Sequence, residues 1–123
     1  MKPRSKHLVV AITGASGSGF GVAVVRRLAA NPGVETVTLL FSATGRRCLA
    51  EECGLTDKDL AALSPKIKLQ NEKDLGAAIS SGSHRQDGMV LVPCSAGALG
   101  RIAAGVSDTL VSRAADVCLK ERR

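Results

Sequence analysis

The sequence predicts an α/β fold in which helices cover both faces of a parallel sheet. Short apolar runs alternate with helix-like segments along the 123 residues, and the run at residues 8–12 is continuously apolar, as in a strand buried on both faces. That run stops at a glycine-rich turn, and a helix-like segment follows. A second strand–turn–helix junction lies at residues 89–104. Two such junctions at one edge of a sheet predict a ligand site outside the carboxyl ends of the strands.

The elements are expected in strict chain order. Strands are predicted over residues 8–12, 35–41, 66–69 and 89–92, the third being a weak edge strand of alternating charged and apolar residues. Helices are predicted over residues 20–30, from the Ser42 cap to 53, and over 56–63, 72–80, 96–104 and 109–123. Asn71 is expected to cap the 72–80 helix, and Asp108 is expected to cap the last helix.

The first junction has the composition of a phosphate-binding turn. Residues 9–21 read VVAITGASGSGFG, with glycines at positions 14, 17, 19 and 21. Glycine lets the backbone approach a ligand closely, and the first turn of the following helix offers free N–H groups to an anion. The alternative is a tight turn that binds nothing, but the number of glycines favours a phosphate site.

The spacing of these glycines argues against a dinucleotide. The fingerprint GxGxxG would need glycine at position 22, which is valine, and TGxxxGxG would need glycine at positions 18 and 20. The chain also has no tyrosine, which the short-chain reductases use in catalysis. After the second predicted strand stands Ser42, where a dinucleotide reader usually has an acid. Flavin mononucleotide (FMN) or another phosphorylated ligand is therefore favoured over a dinucleotide.

Composition favours one domain over residues 1–123, with a basic N-terminal arm at residues 1–7. The chain is 45% hydrophobic but only 2% aromatic, so the core is expected to be aliphatic. A net charge of +6 permits a nucleic-acid partner, yet no aromatic side chains interleave with the basic ones. We therefore expect an anionic small molecule and no nucleic acid.

Cysteine spacing and hydropathy indicate a cytoplasmic protein. The four cysteines form no CxxC pair and no histidine is spaced for zinc, so reduced thiols and no metal are expected. The basic start before an apolar run imitates a secretory signal, but Thr13-Gly14 interrupts it. No apolar segment has the length of a membrane span. His84, in the polar loop 81–88, is expected to be solvated.

The most specific motifs lie in the last forty residues. They include PCS at residues 93–95, a G-x-x-D-x-L segment at 105–110 and the run RAADVCLKERR at 113–123. Together with GASG at residues 14–17, they make the chain resemble the flavin prenyltransferases of the UbiX/Pad group. The resemblance covers nearly the whole chain. It implies a flavodoxin- or Rossmann-like three-layer fold.

The resemblance also implies an activity. Members of the flavin prenyltransferase group bind reduced FMN and dimethylallyl phosphate. They join the prenyl group to flavin N5 and C6 and need no metal. The prenylated FMN then serves a UbiD-type decarboxylase, which links the group to ubiquinone biosynthesis. The family buries flavin between neighbouring subunits, so a homo-oligomer, trimer-based or dodecameric, is expected.

Site residues are carried over by their place in these motifs. Ser16 matches the serine beside the flavin ring, and Glu52, ten residues after Ser42, matches the glutamate near the prenyl group. Lys120 completes the implied catalytic set and forms with Arg113 a basic pair for the phosphates. Both residues also have a purely structural explanation: Arg113 could pair with a nearby aspartate, and Lys120 could be a solvated surface residue. The implied flavin-binding residues are Gly14, Ala15, Ser16, Ser42, Ser95 and Arg113.

The sequence departs from the family pattern after residue 123. The resemblance implies a further strand, a helix and a tail with a tyrosine and an arginine for the allylic phosphate. We therefore expect a truncated or split chain that is inactive or nearly so alone. Two alternatives stay open. The first is an FMN-dependent decarboxylase, although the catalytic histidine in the helix after the first strand and the PASANT-like turn of such enzymes are not found in this sequence. The second is a non-catalytic flavin-binding fragment.

Overall fold

The computed structural model describes residues 4–123, which form four strands and five α-helices. The strands are β1 Lys6–Ile12, β2 Val34–Phe41, β3 Ile67–Gln70 and β4 Gly88–Leu91. The helices are α1 Ser18–Ala30, α2 Ala43–Cys53, α3 Asp57–Ala61, α4 Ala96–Ala104 and α5 Leu110–Lys120. Their order along the chain is β1-α1-β2-α2-α3-β3-β4-α4-α5. A single 3₁₀ turn, Ala78–Ser80, lies before β4 in the described part of the chain.

All strand pairs in the sheet are parallel, and the strand order is β3-β2-β1-β4. The chain therefore moves outward in one direction from β1 to β3 and then crosses to the other side of β1. This is the first part of the doubly wound order 3-2-1-4, whose switch point lies between β1 and β4. The predicted α/β fold with a parallel sheet is confirmed.

The core has two halves, one on each face of the sheet, because alternate residues of β1 point to opposite sides. Val10 and Ile12 pack in the cluster that contains Val25 of α1 and Leu49 of α2. On the other face Val9 and Ala11 pack with residues of α5 and with Ile79. The buried residues of both clusters are aliphatic apart from Phe41, so the predicted aliphatic core is confirmed.

The predicted helix over residues 72–80 is wrong. Residues 71–77 run as successive turns, and only the 3₁₀ turn follows. Asn71 accepts a hydrogen bond from the Lys73 N–H at 3.0 Å, and Asp74 accepts one from the Gly76 N–H at 3.2 Å. Side chains that bond to the backbone two residues ahead offer it an alternative to the helix, and this local bonding explains the difference.

Several boundaries also differ from prediction. Thr109, not Asp108, caps α5 through a capping box with Ser112, while Asp108 pairs with Arg101 at 3.3 Å. Helix α5 ends at Lys120, three residues before the predicted end. Residues 6 and 7 belong to β1 rather than to a basic arm, and residues 1–3 of that arm lie outside the described part.

Candidate functional site

The glycine-rich turn after β1 packs directly against the start of α2. Gly17 adopts the left-handed conformation, with φ +113°, just before α1 begins. A side chain on Gly14 would overlap the hydroxyl and Cβ of Thr44 in the first turn of α2. Glycine at these two positions therefore gives the turn its shape and its close contact with α2.

Thr13 links the turns that follow β1 and β4. Its hydroxyl accepts a hydrogen bond from the Ser95 N–H at 2.8 Å and donates one to the Pro93 carbonyl at 2.7 Å. Its own N–H also donates to the Pro93 carbonyl, at 3.2 Å. Thr13 is 1% exposed and its partners Pro93 and Ser95 are half-buried, so these bonds are partly shielded from water. The two strand–turn–helix junctions thus lie side by side at one edge of the sheet, as predicted.

Serine caps two helices at this edge. Ser42 Oγ accepts from the Gly45 N–H at 3.0 Å, and Ser95 Oγ accepts from the Ala98 N–H at 3.1 Å. The first two N–H groups of each helix find no acceptor within residues 4–123. Such free donors, together with the positive end of the helix dipole, favour an anion.

A cavity of about 470 Å³ opens between these helix starts. This volume lies in the range typical of small-molecule sites, roughly 300–1,000 Å³. Its wall combines hydroxyl groups, two cations and two carboxylates with apolar side chains. The carboxylates, Glu72 and Asp108, are each paired with an arginine. The hydroxyl-bearing residues are Thr13, Ser42, Thr44, Ser95, Thr109 and Ser112; the cations are Lys73 and Arg101; the apolar residues include Phe41, Leu75, Ile102 and Val111. The donor set fits the phosphate of a flavin nucleotide, and the apolar wall fits its ring.

Arg46 contacts Glu72, one of the residues that line this cavity. Its guanidinium donates to both carboxylate oxygens of Glu72, at 2.8 and 3.0 Å, and to Asp57 at 3.1 Å. It also lies 5.4 Å from the centroid of the Phe41 ring. Hydrogen bonding to Arg46 lowers the pKa of Glu72 from its ordinary value, and the same bond raises the pKa of Arg46. Both groups are therefore charged at neutral pH.

Ser16 and Glu52 are brought together, but outside the residues that line the cavity. Glu52 accepts hydrogen bonds from the Ser16 hydroxyl at 3.4 Å and from the Gly17 N–H at 3.1 Å. The Ser18 hydroxyl donates to its second oxygen at 3.5 Å. A carboxylate on helix α2 thus binds the glycine-rich turn from its exposed side, and the neighbouring Glu51 pairs with Arg47 instead.

The remaining predicted residues fall into two groups. Ser42 and Ser95 line the cavity, and Gly14 and Ala15 lie half-buried in the turn beside it. Arg113 and Lys120 are both exposed on α5 and do not line the cavity, and Lys120 lies 3.6 Å from Glu121. Within this chain, the basic pair is therefore separate from the cavity.

Sequence reasoning did not identify Thr13, Thr44, Lys73 or Arg101 as site residues, although all four line the cavity. A polar residue directly after a buried strand was the available signal for Thr13. Thr44 and Arg101 lie in helices α2 and α4, and their place at the cavity depends on how those helices pack at the sheet edge. Lys73 lies in residues 71–77, whose turn conformation was not predicted.

Comparison with known proteins agrees with this geometry. Residues 1–123 match the family described as flavoprotein. The chain belongs to the flavoprotein family. None of the helices of this flavoprotein, over residues 4–123, is long and apolar enough to cross a membrane.

Curated relatives carry the name that the sequence motifs suggested. The chain is 48% identical over 117 residues to a probable UbiX-like flavin prenyltransferase of Streptomyces sp. (strain D7), covering 95% of this chain and 57% of that protein. It is 43% identical over 118 residues to the flavin prenyltransferase UbiX of Deinococcus radiodurans, covering 95% and 58%. The resemblance to flavin prenyltransferases is confirmed.

Solved structures confirm the fold. AnUbiX (PadA1), in complex with FMN and dimethylallyl pyrophosphate, superposes with a TM-score of 0.84 at 40% identity, over 98% of this chain and 62% of that one. A dodecameric FMN-dependent UbiX-like decarboxylase from Escherichia coli O157:H7 gives 0.86 at 42% identity, over 95% and 62%. The flavoprotein chain thus spans about three-fifths of the length of the relatives it matches.

Proposed function

We propose that this flavoprotein is a flavin prenyltransferase, which joins the prenyl group of dimethylallyl phosphate to reduced FMN. The observation that carries the proposal is the cavity at the strand ends, where two serine-capped helix starts meet an apolar wall. The likeness to named flavin prenyltransferases, at 43 to 48% identity over most of the chain, supports the same activity.

In this proposal the cavity binds FMN. The free N–H groups of α2 and α4, with Ser42 and Ser95 beside them, hold the phosphate end. The apolar wall, which includes Phe41 and Ile102, excludes water from the ring. Gly14 and Ala15 lie half-buried in the turn beside the cavity and are proposed to contact the flavin there. Reduced FMN supplies the nucleophilic ring atoms.

Ser16 and Glu52 form the proposed catalytic pair beside the ring. Glu52 orients the Ser16 hydroxyl by accepting its hydrogen bond at 3.4 Å. A hydroxyl held in this way can donate or accept a proton at the reacting edge of the ring. The Glu52 carboxylate also offers negative charge to the positive prenyl fragment that forms when the allylic carbon loses its phosphate.

Arg113 and Lys120 are proposed to bind phosphates as the allylic phosphate leaves with growing negative charge. Seven residues apart on α5, they lie two helical turns apart on an exposed face. Because that face is separate from the cavity of its own chain, the proposal places these cations at a site shared with a neighbouring subunit. It therefore requires a homo-oligomer, and a dodecamer is known for the Escherichia coli relative.

The wider setting is proposed from the same resemblance. The product, prenylated FMN, passes to a UbiD-type decarboxylase in the cytoplasm, and ubiquinone biosynthesis is one pathway that such a pair would serve. A pull-down with a UbiD-type protein from the same source, in the presence and absence of product, tests the partner.

The first experiment measures flavin binding by the 123-residue chain. Titration followed by flavin fluorescence should show one FMN per chain and weaker binding of NAD. Tighter binding of NAD than of FMN would contradict the proposal, because the donor set at the helix starts would then serve a dinucleotide.

The second experiment measures catalysis. The matching 118-residue segment of the Deinococcus radiodurans enzyme is replaced by this chain, and the chimera is given reduced FMN and dimethylallyl phosphate without oxygen. Formation of prenylated FMN, followed by absorbance and mass, supports the proposal if Glu52→Gln lowers the rate at least tenfold and the matched Glu51→Gln does not. A chimera that binds FMN but forms no product favours a non-catalytic flavin-binding role. Release of CO₂ from an acid substrate would favour the decarboxylase alternative.

A further inference from the structure

The segment after β3 is irregular, yet it forms a wall of the cavity. Residues 71–77 have no helix or strand, but Glu72, Lys73 and Leu75 all line the cavity. The bidentate contact from Arg46 to Glu72 fixes this segment to α2. Two parallel N–H···O bonds restrict both position and orientation, so Arg46 defines where the next residue, Lys73, can reach.

The charges around this contact leave Lys73 available. Arg46 neutralises Glu72 and also pairs with Asp57. Arg101, the other cation of the cavity wall, pairs with Asp108 at 3.3 Å. Lys73 has no carboxylate within 4 Å among residues 4–123, and its charge contributes to the lowered pKa of Glu72. Lys73 is an exposed residue that lines the same cavity as Ala43 and Thr44, whose free N–H groups begin α2.

We infer that Lys73 determines specificity for the phosphorylated flavin, and that Arg46 is a positioning residue that keeps Glu72 from pairing with Lys73. The inference rests on the proposed function, since it concerns the same cavity. The phosphate of FMN receives backbone donors from α2 on one side and the Lys73 charge on the other. Riboflavin has the same ring but no phosphate, so the charge of Lys73 does not contribute to its binding.

The test compares FMN with riboflavin on the 123-residue chain at low salt. In Lys73→Gln the dissociation constant for FMN should rise about tenfold, which corresponds to the loss of one charge-assisted contact. The constant for riboflavin should change less than about twofold. Lys68→Gln is the matched control, because Lys68 is an exposed lysine of β3 that does not line the cavity. It should leave both constants unchanged.

The positioning role has its own variant. Arg46→Gln frees the Glu72 carboxylate to pair with Lys73, so the preference for FMN over riboflavin should fall. The double variant Arg46→Gln/Lys73→Gln should lose no more preference than Lys73→Gln alone, because Arg46 acts through Lys73. Arg47→Gln is the control, because Arg47 lies one residue along α2 and pairs with Glu51. A merely structural role of Arg46 would weaken both ligands equally.

The outcomes separate this inference from the proposed function. A wild-type chain that does not bind FMN overturns the proposed function and, with it, the inference. A wild-type chain that prefers FMN over riboflavin, together with a Lys73→Gln chain of the same preference, overturns the inference alone. If the wild type prefers FMN and Lys73→Gln does not, raising the salt concentration should weaken FMN binding more for the wild type, because salt screens the Lys73 charge.

Discussion

Replacing Thr13 by valine should weaken both the fold and the site. The change keeps the shape of the side chain but removes the hydroxyl that accepts from Ser95 and donates to Pro93. The Pro93 carbonyl keeps the bond from the Thr13 N–H, whereas the Ser95 N–H has no other acceptor within residues 4–123. The Ser95 N–H is partly buried, and an unpaired buried donor costs about 1–3 kcal/mol. We therefore expect the free energy of unfolding to fall by about 2 kcal/mol.

The assay is urea unfolding followed by circular dichroism, with thermal unfolding as a second measure. A loss of about 2 kcal/mol corresponds to a fall in the melting temperature of roughly 6–12 °C for a domain of this size. Thr38→Val is the matched control, because Thr38 lies within β2, is half-buried and has no side-chain hydrogen bond in the described structure. It should change stability by less than about 0.5 kcal/mol.

The same substitution should weaken FMN binding, because Thr13 fixes the turn from which α4 begins. We expect the dissociation constant to rise about tenfold, equal to about 1.4 kcal/mol. If Thr13→Val were as stable as the wild type and bound FMN equally well, the hydrogen bonds of Thr13 would not hold the two junctions together. The reasoning on the site geometry would then be wrong.

Three further outcomes follow from the contacts described above. Gly14→Ala should destabilise the chain by overlap with Thr44, and Thr44→Gly should restore part of the loss in the double variant, as measured by urea unfolding. Because its paired arginine lowers the pKa of Glu72, this carboxylate stabilises the fold above the ordinary glutamate pKa of about 4.3 and ceases to do so as pH falls through the lowered pKa. Glu72→Gln should therefore flatten the acid side of the stability curve; an unchanged curve would contradict this. Brief alkylation followed by mass spectrometry should modify exposed Cys94 before Cys118, whose thiol pKa is raised by burial, and equal labelling would refute it.

Much of the fold could be predicted from local patterns. A continuous apolar run predicts a strand buried on both faces, and β1 is such a strand, four of whose residues are fully buried. Serine after an apolar run predicts a helix cap, and Ser42 and Ser95 both cap their helices through their side chains. These signals are local because a strand end, a cap and a glycine turn each depend on neighbouring residues.

The missed features depend on partners that are distant in sequence. The hydroxyl of Thr13 bonds to residues 80 and 82 positions away, and Arg46 bonds to Glu72 across 26 positions. No periodicity indicates such pairs. The 72–80 segment was mispredicted for a related reason: an acid three residues after Asn71 suits a capping box, but the side chains of Asn71 and Asp74 bond to the backbone in turns instead.

The positions of Arg113 and Lys120 on α5 can be explained from a single chain, but their role in the proposed reaction cannot. One face of α5 is buried against β1 and β4 through residues such as Leu110 and Ala114, so the opposite face must carry the polar residues. Arg113 and Lys120 lie there because the amphipathic period puts them there, whatever their function. A solvated helix face explains their placement as well as a phosphate site does. Their role in the proposed reaction therefore depends on the surface that a neighbouring subunit presents to this face, which is why the oligomeric state decides it.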